Sequence, residues 1–118
     1  MPHRTDYAAV EPSTEEVASL PGATVLEFGA PWCGYCIAAQ AAIEAALAGQ
    51  PRVRHLKVED GRGRPLGRAF RVKLWPTLVF LRDGVERARV VRPTDVAPLR
   101  AALAAVVDDD DGRAQSPA

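Results

Sequence analysis

Hydrophobic residues occur along the chain in short runs that are separated by glycine, proline and charged residues. Residues 24–28 and 77–81 are almost wholly apolar, which predicts two buried strands. Residues 53–59 alternate apolar and polar side chains, and this alternation predicts a third strand. The Asp-Gly pair at 83–84 is a hairpin turn signal, so residues 85–91 are expected to return antiparallel to the preceding strand.

Helical signals lie between and beside these strands. Ser13 and Glu16 have the spacing of a capping box, which predicts a short first helix that ends near Leu20. Three further helices are predicted at residues 36–47, 65–70 and 94–107. Strands that alternate with helices before a final hairpin predict an α/β fold, with a central mixed β-sheet flanked by helices on both faces.

The length of 118 residues is that of one domain. We expect this domain to span residues 1–107, and the run of aspartates that follows predicts a disordered acidic tail at 108–118. Acidic and basic residues number 15 each, although residues 52–100 hold 13 basic side chains and only 5 acidic ones. These basic residues are scattered singly, so we expect no nucleic-acid partner.

The N-terminal residues lack the charged-then-apolar pattern of a signal peptide, and no apolar run approaches transmembrane length. We therefore expect a cytoplasmic protein with no membrane partner. We also expect it to be a monomer.

Both cysteines of the chain lie in one segment, as Cys33 and Cys36. A structural disulfide between them would close so short a loop that it would contribute only roughly 2 kcal/mol. A structural zinc site needs four ligands, but the sequence has no second cysteine pair and its only histidines are His3 and His55. Redox exchange remains, in which one thiolate attacks a disulfide and the neighbouring thiol resolves the mixed disulfide.

The residues around the cysteines resemble those of a known family. LEFGAPWCGYC at residues 26–36 is similar to the active-site segment of the thioredoxin family, WPTL at 75–78 to its cis-proline segment, and RDG at 82–84 to the turn that follows. Spacing and element order match over residues 24–107. The resemblance implies the thioredoxin fold and a dithiol-disulfide oxidoreductase, which we expect to act as a reductase without cofactor or metal.

The resemblance also implies roles for particular residues. Cys33 would be the exposed attacking thiol and Cys36 the buried resolving thiol. Glu27 stands where thioredoxins have a buried aspartate that takes a proton from the resolving cysteine, although an outward-facing Glu27 at a sheet edge is the alternative. Implied partners are a disulfide-containing client protein and an upstream thiol reductase or glutathione.

A substrate groove is expected beside the cysteines. The residues expected to bind substrate are Trp32, Gly34, Tyr35, Trp75, Pro76 and Arg92. Pro76 would face the cysteine pair, and Trp75 would be either a groove wall or a core residue. Reductive thioredoxins usually have Gly-Pro where this chain has Gly34-Tyr35, and Gly-Tyr resembles the dipeptide of periplasmic disulfide isomerases. An isomerase-like oxidant is therefore an alternative to the reductase.

Three departures from the family pattern concern the surroundings of the cysteines. Gly29 replaces a tryptophan, Arg92 replaces a glycine beside the groove, and His55 replaces a lysine near the buried carboxylate, where it can pair with Glu27. These departures favour a specialised relative with its own client over a housekeeping thioredoxin. A thioredoxin-like adapter with incidental cysteines is the rival class.

Overall fold

The computed structural model describes residues 6–107, so the predicted tail at 108–118 lies outside the described residues. Within these residues the chain forms eight elements in the predicted order. They are α1 (Thr14–Ala18), β1 (Ala23–Gly29), α2 (Gly34–Ala48), β2 (Arg54–Glu59), α3 (Pro65–Ala69), β3 (Thr77–Arg82), β4 (Val85–Val91) and α4 (Val96–Ala104). Over residues 6–107, no helix is long and apolar enough to span a membrane.

Element ends follow local capping. The predicted capping box is present, since the Ser13 hydroxyl accepts from the Glu16 backbone and the Glu16 carboxylate accepts from the Ser13 backbone. Helix α4 begins later than predicted because the Asp95 side chain accepts a hydrogen bond from Ala97 N and fixes the start of the helix there.

The sheet is mixed and has the strand order β2-β1-β3-β4. Strand β1 lies between a parallel neighbour, β2, and an antiparallel neighbour, β3, which forms the hairpin with β4. Every residue of β1 is buried, as expected for a central strand that is covered on both faces. The predicted mixed α/β architecture is confirmed.

Two hydrophobic clusters cover the two faces of this sheet. One packs α2 and α4 against side chains that include Val25, Leu78 and Phe80. The other packs Val17 of α1 and Leu66 of α3 against alternate residues of the same strands. Alternation along β1 and β3 therefore places helices on both faces, as predicted.

Strand register brings three loops together at one edge of the sheet. Phe28 near the end of β1 pairs with Thr77 at the start of β3, and Thr77 pairs with Val91 at the end of β4. The loops that lead out of β1, into β3 and out of β4 therefore meet. They carry both cysteines, the Trp75–Pro76 segment and Arg92.

Candidate active site

The cysteine pair lies where β1 leads into α2. Cys33 is the N-cap of α2, and its Sγ accepts a hydrogen bond from the backbone N–H of Cys36 at 3.2 Å. Both thiols are free. Cys33 is 6% exposed and Cys36 2%, so the prediction of an exposed Cys33 is wrong. Ala30 packs with the two cysteines in one buried cluster, and the partly buried Trp75 packs against that cluster.

A groove of about 350 Å³ opens over Cys33. Its lining residues are Trp32, Cys33, Gly34, Tyr35, Lys73, Leu74, Trp75 and Arg92. The rings of Trp32 and Trp75 meet edge to face with centroids 5.5 Å apart. Five of the six predicted substrate-binding residues thus line one groove. The sixth, Pro76, is buried next to it and follows a cis peptide bond.

Trp75 is a wall of this groove. Its backbone position comes directly before β3, and its indole Nε1 donates to Oδ2 of Asp60 at 2.8 Å. The hydrogen bond holds the indole in place, and Trp75 lines the groove. Trp75 was expected to be either a groove wall or a core residue, and in the structure it is a groove wall.

Arg92 closes the far side of the groove. Its Nε donates to the backbone carbonyl of Trp75 at 2.8 Å, and its guanidinium lies 3.8 Å from the centroid of the Tyr35 ring. The expected position of Arg92 beside the groove is confirmed. Its φ of 51° lies in the left-handed region, which an arginine adopts only at a cost in backbone energy. The side chain thus reaches across the groove from a conformation that favours glycine.

A cluster of buried polar side chains lies behind the cysteines. Glu27 is fully buried, which excludes the outward-facing alternative. One carboxylate oxygen lies 2.8 Å from Nε2 of His55, and the other accepts from Nε2 of Gln40 at 2.8 Å. The expected Glu27–His55 pair is confirmed. Gln40 also donates to the backbone carbonyl of Cys36 at 2.9 Å and accepts from Lys57 Nζ at 3.2 Å.

Tyr7 contacts the second thiol. Its hydroxyl hydrogen-bonds Cys36, and Nζ of Lys57 lies 4.8 Å from the centroid of its ring. The approach depends on Gly29, because a Cβ there would lie 2.5 Å from Sγ of Cys36 and 3.0 Å from the Tyr7 hydroxyl. Tyr7 therefore lies beside the glycine that replaces the family's tryptophan.

Burial keeps both the Cys36 thiol and the Tyr7 phenol protonated at neutral pH. Desolvation raises the pKa of Cys36 to about 12, and the hydrogen bond and charge of Cys33 act in the same direction. The backbone of Ala30 and the Tyr7 hydroxyl oppose this rise. Desolvation, followed by the negative charges of Cys36 and Glu27, raises the pKa of Tyr7 above its usual range. The Tyr7 phenol therefore stays protonated at neutral pH.

Four residues of this site were not predicted from the sequence, namely Tyr7, Gln40, Lys57 and Asp60. Gly29 was an indirect signal, since a glycine in place of a large ring leaves a space that another side chain must fill, but this signal does not identify Tyr7. Within residues 6–107, no group of three or more His, Cys, Asp or Glu side chains is arranged to hold a metal ion.

The geometry is that of a paired-thiol site at the edge of a four-stranded α/β sheet, and comparison with known proteins agrees with this class. The family model described as Thioredoxin matches residues 8–105. The chain therefore belongs to the thioredoxin family and has the thioredoxin fold, and membership implies dithiol-disulfide oxidoreductase activity.

Individual relatives give the extent of the similarity. Thioredoxin 2 from Pseudomonas aeruginosa PAO1, in the structure of its reduced form, has 54% sequence identity to this chain. The match covers 85% of this chain and 93% of that chain, with a TM-score of 0.76. Thioredoxin of Chlamydia trachomatis is 38% identical over 71 residues, which are 59% of this chain and 69% of that protein. Protein disulfide-isomerase A2 of Pongo abelii is 42% identical over 66 residues, 52% of this chain, but the match spans only 13% of that longer protein.

Proposed function

We propose that the protein reduces disulfide bonds in client proteins, with Cys33 as the attacking thiol and Cys36 as the resolving thiol. The observation that carries this proposal is that Cys33 lines an open groove while its Sγ accepts a hydrogen bond from the backbone of the more deeply buried Cys36. A buried second thiol is protected from outside disulfides, yet it lies next to the first. This arrangement suits attack followed by internal resolution.

The exchange has two steps. The thiolate of Cys33 attacks one client sulfur, so a Cys33–client disulfide forms while the client disulfide breaks and its other sulfur leaves as a thiolate. Cys36 then attacks Cys33, which forms the Cys33–Cys36 disulfide and releases the second client sulfur. Two electrons pass to the client. We propose that an upstream thiol reductase or glutathione restores the dithiol and that the protein works in a reducing compartment such as the cytoplasm.

Glu27 is proposed to take the proton that Cys36 gives up before the second step. Its full burial and its position behind the cysteines support this role. Its contacts with His55 and Gln40 hold the carboxylate in place, and Gln40 joins it to the Cys36 backbone. A fixed buried carboxylate is suited to accept a proton without reorganising.

The groove favours clients that combine apolar and acidic residues near their disulfide. Trp32 is 72% exposed, Tyr35 60% and Leu74 47%, which offers an apolar docking surface. Among the eight lining residues, Lys73 and Arg92 are basic and none is acidic. An acidic client side chain would draw the Arg92 guanidinium away from the Trp75 carbonyl and free that acceptor for the client backbone.

Reduction of insulin by dithiothreitol, followed by turbidity, tests the proposed activity. We expect the wild type to accelerate it and Cys33→Ser to abolish the acceleration. An inactive wild type would favour the adapter alternative. The reduction potential of the pair against glutathione tests the direction of exchange, and a strongly oxidising value would favour the isomerase-like oxidant, which the Gly-Tyr dipeptide suggests.

A further inference from the structure

Tyr7 lies outside every helix and strand, yet the fold holds it against the active site. The backbone N–H of the next residue, Ala8, donates to the carbonyl of Lys57 in β2 at 2.7 Å. The Lys57 ammonium lies over the Tyr7 ring at 4.8 Å from its centroid. Two independent contacts with one strand residue therefore hold the Tyr7 ring, and with it the hydroxyl, in place.

The space around Cys36 accepts this hydroxyl because Gly29 has no side chain. A Cβ on residue 29 would come within 2.5 Å of Cys36 Sγ and 3.0 Å of the Tyr7 oxygen. Any other residue at position 29 would thus displace the thiol, the hydroxyl or both. Gly29 and Tyr7 are complementary parts of one arrangement.

The hydroxyl acts on the protonation state that the resolving step requires. The thiol of Cys36 must lose its proton before it attacks, and burial opposes this loss. A hydroxyl that donates to sulfur stabilises the thiolate more than the thiol, because hydrogen bonds to charged groups are the stronger ones. The raised pKa of Tyr7 keeps its own proton in place, so the phenol remains a donor throughout.

We infer that Tyr7 is a catalytic residue of the resolving step, in which its hydroxyl donates a hydrogen bond to Sγ of Cys36 and stabilises the attacking thiolate. This inference rests on the proposed function. The sulfur of Cys36 bonds to that of Cys33, the Cys33–client disulfide breaks, and the client sulfur leaves with the electron pair. Tyr7 keeps its proton, while the proton of Cys36 goes to Glu27.

The test separates the two steps with an aromatic disulfide, dithionitrobenzoate, whose coloured thiolate is released once on attack and once on resolution. Tyr7→Phe removes one oxygen and keeps the ring that Lys57 covers. We expect the second release to become about tenfold slower at neutral pH, as loss of one hydrogen bond to a charged sulfur implies. In a Cys36→Ser background, which reports attack alone, Tyr7→Phe is expected to leave the rate unchanged.

Each outcome decides a separate point. Two releases from the wild type with a slower second release from Tyr7→Phe support the inference. If the second release is equally fast in the wild type and in Tyr7→Phe, the inference about Tyr7 is wrong but the proposed function stands. If the wild type never shows a second release, both the inference and the proposed function are wrong. If Tyr7→Leu slows resolution while Tyr7→Phe does not, the ring rather than the hydroxyl matters, and the inference is wrong.

A titration of Cys36 in the Cys33→Ser protein gives a second readout, through the NMR chemical shift of its Cβ. In the Cys33→Ser protein the ionisable groups around the sulfur are Tyr7 and the cluster of Glu27, His55 and Lys57. The protein that also carries Tyr7→Phe keeps this cluster and lacks only the Tyr7 hydroxyl. We expect Tyr7→Phe to raise the pKa of Cys36 further. An unchanged titration would contradict donation to the thiolate.

Discussion

The two sides of the cysteine pair differ in almost every physical respect. On the groove side, Trp32 and Tyr35 are largely exposed, and the contact between Arg92 and Tyr35 lies at the surface. On the opposite side, Glu27 and His55 are buried and hydrogen-bonded to each other. One side presents apolar and cationic surface to a partner, and the other holds fixed polar groups away from water.

The difference indicates a division between the two steps of exchange. A client meets the groove first, so the groove residues are expected to govern docking and the attack by Cys33. The second thiol is buried, and the buried groups are expected to govern its proton and the resolving step. Variants on the two sides should therefore have separable effects.

The largest effect is expected from the cysteines themselves. Cys33→Ser is expected to abolish reduction and form no adduct, whereas Cys36→Ser is expected to abolish turnover while it accumulates a mixed disulfide with the client, because the resolving sulfur is absent. Non-reducing electrophoresis and mass spectrometry after incubation with a disulfide peptide measure the adduct. An adduct with Cys33→Ser, or with neither variant, would show that the roles are wrongly assigned.

Glu27→Gln is expected to have the next largest effect. The amide keeps the size of the carboxylate but cannot take a proton, so resolution is expected to slow by about a hundredfold near neutral pH. Two-step kinetics with dithionitrobenzoate measure it, and the attack rate is expected to stay the same. Glu59→Gln is the matched control, since this half-buried carboxylate on β2 faces Arg64 at 3.7 Å and lies outside the buried cluster. Equal rates for the two variants would contradict a shuttle.

The burial of Cys36 predicts a pH-dependent stability for the reduced protein. Its folded pKa of about 12 lies above the ordinary value of 9.0. Between these values the folded state keeps a proton that the unfolded state has lost, so stability is lost as pH rises. The slope is at most about 1.4 kcal/mol per pH unit.

Urea unfolding of the reduced and oxidised proteins from pH 8 upward measures this effect, because the oxidised protein has no thiol to titrate. We expect the reduced form to lose stability relative to the oxidised form as pH rises above about 9. Parallel curves for the two forms would show that Cys36 is no more protected than an exposed thiol.

The smallest effect is expected from Arg92→Gly. The variant removes a groove cation, so reduction of an acidic disulfide peptide is expected to slow by about two- to fivefold at low salt and to lose its salt dependence. A neutral peptide is expected to react as fast or faster, since the Trp75 carbonyl becomes free. Stopped-flow rates at two salt concentrations measure both effects.

Arg71→Gly is the matched control for this change. Arg71 also has a left-handed backbone, with φ of 59°, and is exposed, but it does not line the groove. Both variants lose one positive charge and relieve one strained arginine. An equal change in salt dependence for the two variants would mean that total charge, rather than the position of Arg92, sets the preference.

The fold could be predicted from the sequence because each element has a local signal. Apolar runs, the Asp-Gly turn and the capping box of Ser13 specify elements within a few residues of themselves. The ends were less predictable. Helix α2 begins at Gly34 with Cys33 as its cap, and a cysteine is not one of the usual capping residues.

The site was predictable where its residues lie in local motifs or, as for His55 and Arg92, at positions that can be matched to the thioredoxin pattern. The cysteines, Glu27 and the Trp75–Pro76 segment lie in such motifs, and all of them meet at one edge of the sheet. Tyr7 lies 29 residues before Cys36 in sequence, and no local pattern indicates their contact. The packing of Trp75 against the cysteine cluster is also a long-range contact, and the burial of Cys33 in that cluster has no local signal in the sequence.

The most direct test of a divided site measures both release steps in one experiment for the wild type, Arg92→Gly and Glu27→Gln, with a single acidic aromatic disulfide. We expect a crossed pattern, in which Arg92→Gly slows only the attack and Glu27→Gln slows only the resolution. If either variant slowed both steps by the same factor, the two sides of the cysteine pair would not act separately, and the division proposed for this site would be wrong.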